Sequence, residues 1–231
     1  MANRIAIITA RGGSKRIPRK NIKDFLGKPI IAYSISAALE SGLFDHVMVS
    51  TDDYEIAEIA KKYGAEVPFM RSEETANDFA TTRDVLMEVL DKYKEMGVEI
   101  SDFCCIYPTA PFITAEKLKE ALRIMQENKA GRVVPVVRFS FPPQRCFIVD
   151  NGLLKWKFPE YATNRRSQDL EPFYHDCGQF YFIDYKTFIE GDEALFLKTY
   201  PMFVPETEVQ DIDNIVDWEL AEIKYQKMMN K

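Results

Sequence analysis

The sequence predicts an α/β protein in which a mostly parallel, Rossmann-like sheet lies between two layers of helices. Short apolar runs that suit buried strands alternate with segments whose apolar residues recur at helical spacing. Strands that alternate with helices in this way are typical of βαβ units and a parallel sheet. The alternation extends over most of the 231 residues without an internal repeat or a linker, so one domain, residues 1–231, is predicted.

The first half of the chain follows the alternation closely. Residues 4–9 are continuously apolar, as expected of a strand buried on both faces. A helix is predicted from Pro29, a favoured first-turn residue, to a C-terminal cap at Gly42. The pattern then predicts a strand at 47–50, a helix that ends at Lys62 and is capped by Asp52 or Asp53, a short strand within 64–69, a loop over 71–80 and a helix over 82–96.

The second half continues the pattern on either side of one irregular segment. A buried strand is predicted at 103–106 and another at 133–137, with a helix between them that Thr114 caps. After the irregular segment, strands are predicted at 178–183 and 200–204, and a final helix at 214–229.

Residues 139–174 do not follow the alternation of strands and helices. The segment contains four prolines, eight aromatic residues and a hairpin signal at Asp150-Asn151-Gly152. So many aromatic residues outside a regular pattern indicate an inserted segment that packs on a partner subunit or closes over a substrate.

The composition argues against several classes of protein. A net charge of −6 disfavours general nucleic-acid binding, although it allows one basic pocket. No apolar run approaches the roughly 18 residues of a membrane span, and no signal-peptide pattern precedes the first strand. The four cysteines form no C-x-x-C pair. They indicate reduced thiols in a cytoplasmic protein.

A basic loop follows the first strand. Between Arg11 and Lys23 there are six cationic residues and no acidic one, and Gly12-Gly13 opens the loop. The loop matches neither the P-loop pattern nor the G-x-G-x-x-G dinucleotide pattern. Cations and free backbone N–H groups at the carboxyl end of a buried strand favour a polyanion, most simply a nucleoside triphosphate. The alternative is a solvated basic loop.

Two aspartates near the C-terminus form a candidate metal site. Asp211 and Asp213 flank Ile212 in a stretch, 206–222, that contains seven acidic residues and no lysine or arginine. In an extended segment both carboxylates point to one side while the isoleucine points to the core. Such a pair suits Mg²⁺ shared with nucleotide phosphates. Alternatively, Asp213 is the N-cap of the last helix, and both roles can coexist.

With the proline-rich turn at Tyr107-Pro108-Thr109-Ala110-Pro111-Phe112, these motifs resemble one family, the CMP-sialic acid synthetases, which are cytidylyltransferases that activate nonulosonic acids. The A-R-G-G-S-K-x-I-P-x-K-N stretch is similar to that family's nucleotide loop, and D-I-D to its metal pair. The sialic acid branch usually has glutamine at position 107. The tyrosine here, and the stretch from Asp176 to Tyr181, look like the pseudaminic acid branch.

The resemblance implies a nucleotide-diphospho-sugar transferase type of sheet and a definite reaction. The anomeric hydroxyl of a nonulosonic acid attacks the α-phosphorus of CTP and releases pyrophosphate, with Mg²⁺ on Asp211 and Asp213. The catalytic residues would be Arg11, Lys20 and Asp211. The nucleotide site would comprise Ala10, Arg11, Gly12, Gly13, Ser14, Lys15, Asn21, Arg71, Thr81 and Thr82. The sugar acid would contact Tyr107, Thr109, Arg145, Arg165, Gln179 and Tyr181.

The resemblance also implies a homodimer that forms through residues 139–174. Pseudaminic acid is the expected acceptor, and its CMP derivative is a precursor for bacterial surface glycans and flagellin glycosylation. Three alternatives stay open: the same reaction on legionaminic acid, on N-acetylneuraminic acid or on the eight-carbon acid of lipopolysaccharide. A non-catalytic sugar-nucleotide binder is a further alternative from a different class.

Overall fold

The computed structural model describes residues 2–161 and 166–230. The strands are β1 Asn3–Thr9, β2 Asp24–Phe25, β3 Lys28–Pro29, β4 His46–Ser50, β5 Ile100–Ile106, β6 Arg132–Arg138, β7 Phe147–Asp150, β8 Leu153–Trp156, β9 Tyr174–Asp176, β10 Phe180–Asp184 and β11 Thr199–Phe203. The helices are α1 Ile31–Ser41, α2 Tyr54–Lys62, α3 Glu73–Ala76, α4 Thr82–Glu95, α5 Ala115–Asn128, α6 Tyr185–Glu190, α7 Asp192–Leu197 and α8 Ile215–Met229.

A mixed, mostly parallel sheet forms the centre of the molecule. Its strand order is β11-β6-β10-β5-β1-β4, and β9 also pairs with β6. Strand β1 is parallel to both β4 and β5, and β6 is parallel to β11. Strands β9 and β10 run antiparallel to their neighbours. The predicted mostly parallel α/β fold is therefore confirmed, with an antiparallel strand within the sheet.

Apolar cores lie on both faces of the sheet, which explains the continuous apolar runs. In β1, Ala6 and Ile8 pack on the face covered by α1 and α5. Ile5 and Ile7 pack on the opposite face, with Leu86 of α4. Because both faces of the strand are covered, successive residues are all apolar instead of alternating with polar ones. The carboxyl ends of β1, β4 and β5 then lie at one edge, which positions the loops after them.

Three local predictions were wrong in detail, and two short helices were not predicted. Helix α1 begins at Ile31, because Lys28–Pro29 instead pairs with Asp24–Phe25 in a small hairpin. The strand expected within 64–69 reduces to one bridge between Met48 and Glu66. The expected loop at 71–80 contains the short helix α3. Helices α6 and α7 were not anticipated, because neither is longer than six residues and both depend on tertiary packing: α6 packs against β5 and β10, and α7 packs against α6.

The predicted hairpin in the inserted segment is confirmed as β7–β8. Asn151 and Gly152 both have positive φ, 50° and 79°, as a two-residue type I′ connection requires. Val149 lies directly opposite Leu154, so the two side chains share a face, and both are exposed. That face is apolar and no other part of the described chain covers it. Among residues 2–161 and 166–230, no helix combines the length and apolarity needed to cross a bilayer.

Candidate active site

The basic loop leaves β1 at the carboxyl edge of the sheet, and the first glycine is required by close packing. The Gly12 N–H donates to Asp52 Oδ1 at 2.8 Å, which ties the loop to the end of β4. A Cβ atom at Gly12 would lie 2.8 Å from Asp53 Oδ2, so any other residue would push the loop away. Gly13, by contrast, faces open space. The loop therefore exposes backbone at Gly13 to the adjoining cavity.

A cavity of about 440 Å³ lies between this loop, the turn after β5 and the segment before α8. It brings together residues that are up to 200 positions apart in the sequence. Of the predicted site residues, its lining contains Arg11, Gly13, Ser14, Lys15, Lys20, Asn21, Tyr107, Thr109 and Asp211. The side chain of Asn21 is buried and donates to the carbonyl oxygen of Arg11 at 2.8 Å, so it supports the loop from below.

The cations of the loop have different partners and therefore different roles. Arg19 adopts a left-handed backbone, with φ of 55°, and its guanidinium pairs with Asp53 and Glu55 at the start of α2. This pairing fixes the end of the loop. Arg11 and Lys15 both pair with Asp78, across the loop from α2. Their partner is exposed, so a ligand can replace it.

The two aspartates lie beside the remaining cations. Ile212 is 1% exposed, whereas Asp211 is exposed and Asp213 is half-buried, as expected for an extended segment. Arg16 donates to Asp213 Oδ1 at 2.6 Å, and Lys20 Nζ donates to the carbonyl oxygen of Ile212 at 2.6 Å. Burial lowers the pKa of Lys20, although both aspartates favour its charged form.

The aspartate pair fits a Mg²⁺ site that substrate oxygens complete. Within the described chain, no group of three or more His, Cys, Asp or Glu residues could hold a metal. Mg²⁺ is commonly held by one or two carboxylates together with substrate phosphates, which matches this donor set. The N-cap of α8 is Asn214, whose side chain accepts from Val216 and Asp217, so Asp213 is not required for that role.

A second cavity, of about 510 Å³, shares Tyr107 with the first. It lies on the face of β10, β6 and β11 and has aliphatic and aromatic walls. Tyr107 and Tyr181 meet edge to face with ring centroids 5.7 Å apart, and the Tyr181 hydroxyl donates to Asp176 at 2.7 Å. Burial raises the pKa of both tyrosines, so both hydroxyls are protonated near neutral pH. Thr82 lines this cavity and not the first one.

Several predicted site residues lie outside both cavities. Arg71 is buried, and its guanidinium donates to the hydroxyl and carbonyl oxygens of Ser50, so it supports the end of β4. Thr81 is the N-cap of α4, in a capping box with Asp84. Gln179 is 2% exposed and donates to the carbonyl oxygen of Glu208 at 2.7 Å. In this state its amide therefore holds the segment before Asp211 instead of facing a cavity.

The other predicted residues do not line either cavity where the structure describes them. Ala10 is fully buried beneath the loop, and Gly12 lines a neighbouring opening with Asp52 and Asp78. Arg145 is in the inserted segment, where it donates to Ser167. Arg165, predicted to contact the sugar acid, lies outside the described residues.

Sequence reasoning missed Arg83, Arg132 and His175, which all line the second cavity. Arg83 packs on the ring of Phe188 at 4.3 Å and pairs with Asp192. Arg132 donates to Thr199 at 3.1 Å. The cavity is built from β6, β9, β10, β11, α4, α6 and α7, so no short motif in the sequence marks it. A local signal could have identified Arg83, which is adjacent to the predicted Thr82, and His175, which is adjacent to the stretch from Asp176 to Tyr181.

A basic glycine loop after the first strand of a mostly parallel sheet, facing an aspartate pair, defines the class of nucleotidyltransferases. Comparison with known proteins gives the family: the cytidylyltransferase family model matches residues 5–229. The chain belongs to the cytidylyltransferase family.

Two of the relatives are similar to this chain over nearly the whole length of both proteins. The chain is 42% identical to a pseudaminic acid cytidylyltransferase of Campylobacter jejuni, over 96% of this chain and 95% of that protein. It is 36% identical to a CMP-N,N′-diacetyllegionaminic acid synthase of Legionella pneumophila, over 94% of each. A solved CMP:2-keto-3-deoxy-manno-octonic acid synthetase complexed with CTP has the same fold, with a TM-score of 0.69 and 18% identity over all of both chains.

Proposed function

We propose that this protein transfers CMP from CTP to the anomeric hydroxyl of pseudaminic acid and releases pyrophosphate. The observation that carries the proposal is the shared wall at Tyr107, where a cationic cavity meets a larger, mostly apolar one. A nucleotide in the first cavity and a sugar acid in the second would meet at this residue. The 42% identity to a pseudaminic acid cytidylyltransferase supports the choice of acceptor.

This chain contributes positive charge to the binding of the nucleotide, and it positions the phosphates. Arg11, Lys15 and Lys20 line one cavity and would surround the phosphates, while the backbone at Gly13 leaves room for close approach. Phosphoryl and nucleotidyl transfer depend mainly on positioning and on neutralising negative charge. The partly desolvated amine of Lys20 is suited to this role because a charge interacts more strongly in a low-dielectric site.

The aspartate pair would hold the divalent ion. Asp211 lines the phosphate cavity, and Asp213 is held next to it by Arg16. Mg²⁺, when bound, neutralises charge on phosphate oxygens and helps to orient them. The carboxylates of this chain provide two ligands, and the movement of Arg16 away from Asp213 would free the second.

The second cavity has the chemistry to accept an acylated sugar acid. Two tyrosine hydroxyls provide hydrogen bonds, and aliphatic residues such as Leu86 and Ile183 provide an apolar wall. Arg83 and Arg132 supply positive charge for a carboxylate, which a guanidinium binds well. This combination favours an anionic sugar with apolar substituents.

The alternative acceptor is legionaminic acid, and the 36% identity to the Legionella synthase favours it as the second choice. Purified protein should be incubated with CTP, Mg²⁺ and each of four acids: pseudaminic, legionaminic, N-acetylneuraminic and the eight-carbon acid of lipopolysaccharide. Pyrophosphate release should be fastest with pseudaminic acid. Turnover of another acid with none of pseudaminic acid would overturn the choice of acceptor. CTP binding without turnover of any acid would support a non-catalytic binder.

We also propose that the protein is a homodimer in which the β7–β8 hairpin contacts a second copy. Phe147, Val149 and Leu154 present an exposed apolar face on a two-stranded sheet. An isolated hairpin of this kind is at best marginally stable in water, so a partner surface is expected to cover it. Residues 139–174 contain this hairpin and end at Tyr174, which lines the second cavity, so the same segment would reach both the dimer contact and the sugar site.

A further inference from the structure

Asp78 bridges two cations of the basic loop. Its Oδ1 atom accepts a hydrogen bond from Arg11 at 2.9 Å, and its Oδ2 atom accepts one from Lys15 Nζ at 2.5 Å. Hydrogen bonds from Lys15 and Arg11 hold the pKa of Asp78 below its usual range, so the carboxylate is ionised near neutral pH. The two carboxylate oxygens therefore occupy one nitrogen of each of two cations that would bind phosphate oxygens.

The turn that carries Asp78 is stabilised mainly from within. The Asn77 side chain accepts the N–H groups of Phe79 and Ala80, and its amide donates to Glu74. Phe79 is 94% exposed, so the ring does not anchor the turn to the core. Across the opening of about 610 Å³ between this turn and the glycine loop, Asp78 pairs with both cations, and Arg11 also donates to the carbonyl oxygen of Asn77 at 3.5 Å.

Resting on the proposed function, we propose that Asp78 competes with the triphosphate for Arg11 and Lys15 and returns to them as pyrophosphate leaves. Exposed ion pairs are individually weak, so a ligand with several negative charges displaces one carboxylate readily. The same competition lowers the affinity for pyrophosphate, because pyrophosphate would bind to the same two cations. Asp78 thus tunes the affinity for polyphosphates without affecting the affinity for the nucleoside.

The test compares three proteins: wild type, Asp78→Asn and Glu74→Gln. The control removes the same charge from the same segment, at an exposed side chain with no ion-pair partner in the described part of the chain. Calorimetry measures the binding of CTP, cytidine and inorganic pyrophosphate, each with Mg²⁺. Steady-state kinetics gives the KM for CTP, kcat and the inhibition constant of pyrophosphate.

Asp78→Asn should bind CTP and pyrophosphate about three- to ten-fold more tightly, the scale expected for two exposed ion pairs. Cytidine affinity should be unchanged, because a nucleoside does not reach the two cations. The KM for CTP and the inhibition constant of pyrophosphate should fall together, and Glu74→Gln should match wild type. In a Lys15→Ala background the effect of Asp78→Asn should shrink, because one of its two partners is gone.

Unchanged or weaker pyrophosphate binding by Asp78→Asn would overturn the proposal. So would equal tightening of cytidine, which would indicate a general effect on the turn. Failure of the proposed function would look different. Wild type would then show no turnover with CTP and any of the four acids, whereas pyrophosphate would still bind more tightly to Asp78→Asn if the competition holds.

Discussion

At the residue scale, the cationic side chains of the basic loop differ in the groups with which they pair. Arg19 is committed to Asp53 and Glu55 and acts as a brace. Arg16 and Lys20 lie against the aspartate segment, and Arg11 lies against an exposed carboxylate. The sequence shows a block of like charges, but only those with exchangeable partners are suited to bind a ligand.

Replacing Asp211 tests the metal assignment. Asp211→Ala should lower kcat by at least about 10²-fold, because a carboxylate that positions a charge-stabilising ion is lost. Its melting temperature should stay close to that of wild type, because the side chain is exposed. The check is turnover against Mg²⁺ concentration, with Glu219→Gln on α8 as the control. Activity with wild-type Mg²⁺ dependence would remove Asp211 from the site.

Replacing Arg11 tests the role of a single phosphate contact. Arg11→Ala should lower kcat by roughly 10²–10³, the scale for the loss of one positioned charge stabiliser. Arg19→Ala should instead lower stability, because Arg19 braces the loop. A rise in the KM of Arg11→Ala for CTP at unchanged kcat would show that Arg11 binds the substrate without favouring the transition state.

At the scale of elements, helix α4 holds the segment that borders the nucleotide loop. Glu88, on α4, accepts hydrogen bonds from the Ser72 N–H and hydroxyl groups, from the Thr75 hydroxyl and from Lys92. Burial alone would raise the pKa of Glu88, but these hydrogen bonds lower it to about 2. The charged carboxylate therefore contributes to the stability of the folded state and fixes the start of the segment that leads to Asp78.

The pH dependence of the free energy of unfolding should show how much the Glu88 carboxylate contributes to stability. The pKa of Glu88 in the folded state lies below its ordinary value of 4.5. The contribution of this carboxylate to the free energy of unfolding is therefore complete above pH 4.5 and is lost as the pH falls towards 2. Glu88→Gln should lower the free energy of unfolding by about 1–3 kcal/mol at pH 7. The difference from wild type should shrink below pH 4.5. Urea unfolding curves recorded at several pH values measure this difference in the free energy of unfolding, with Glu95→Gln as the control. A difference independent of pH would contradict the assignment.

At the scale of the whole molecule, the inserted segment extends an apolar surface away from the core. Val149 is 73% exposed and Leu154 is 70% exposed, and they lie opposite each other on one face of the hairpin. Exposed apolar patches of this kind mark interaction sites. The proposed second copy would cover this face and bring two inserted segments together near the sugar cavities.

A charged residue on the β7–β8 hairpin should dissociate the proposed homodimer. Leu154→Lys should shift the mass measured by light scattering from dimer to monomer, because a buried charge without a partner disfavours the interface. Each monomer should retain its circular dichroism spectrum, since the position is far from the core. Glu95→Lys, on an exposed site of α4, should leave the mass unchanged. A wild-type monomer, or a Leu154→Lys dimer, would overturn the dimer proposal.

The sequence by itself determined the longer strands and helices of the central sheet and the local character of the basic loop. Continuous apolar runs such as 4–9 encode a strand that is covered on both faces, and Asn151-Gly152 encodes a hairpin turn. These signals are local, since burial and turn geometry depend on residues within a few positions of each other. Glycine spacing and the alternation around Ile212 likewise predicted the position of the loop and the exposure of Asp211.

Only the tertiary structure decided which side chains meet. The family resemblance implies ligand contacts for Gln179 and Arg71, and the tertiary structure places both side chains in the interior, where they donate to backbone carbonyls. The pairing of Asp78 with Arg11 depends on how the segment before α4 folds back over β1, and the second cavity depends on the order of β10, β6 and β11. Such contacts join residues that are tens to hundreds of positions apart. Strand order and packing bring them together, and no local pattern in the chain encodes them.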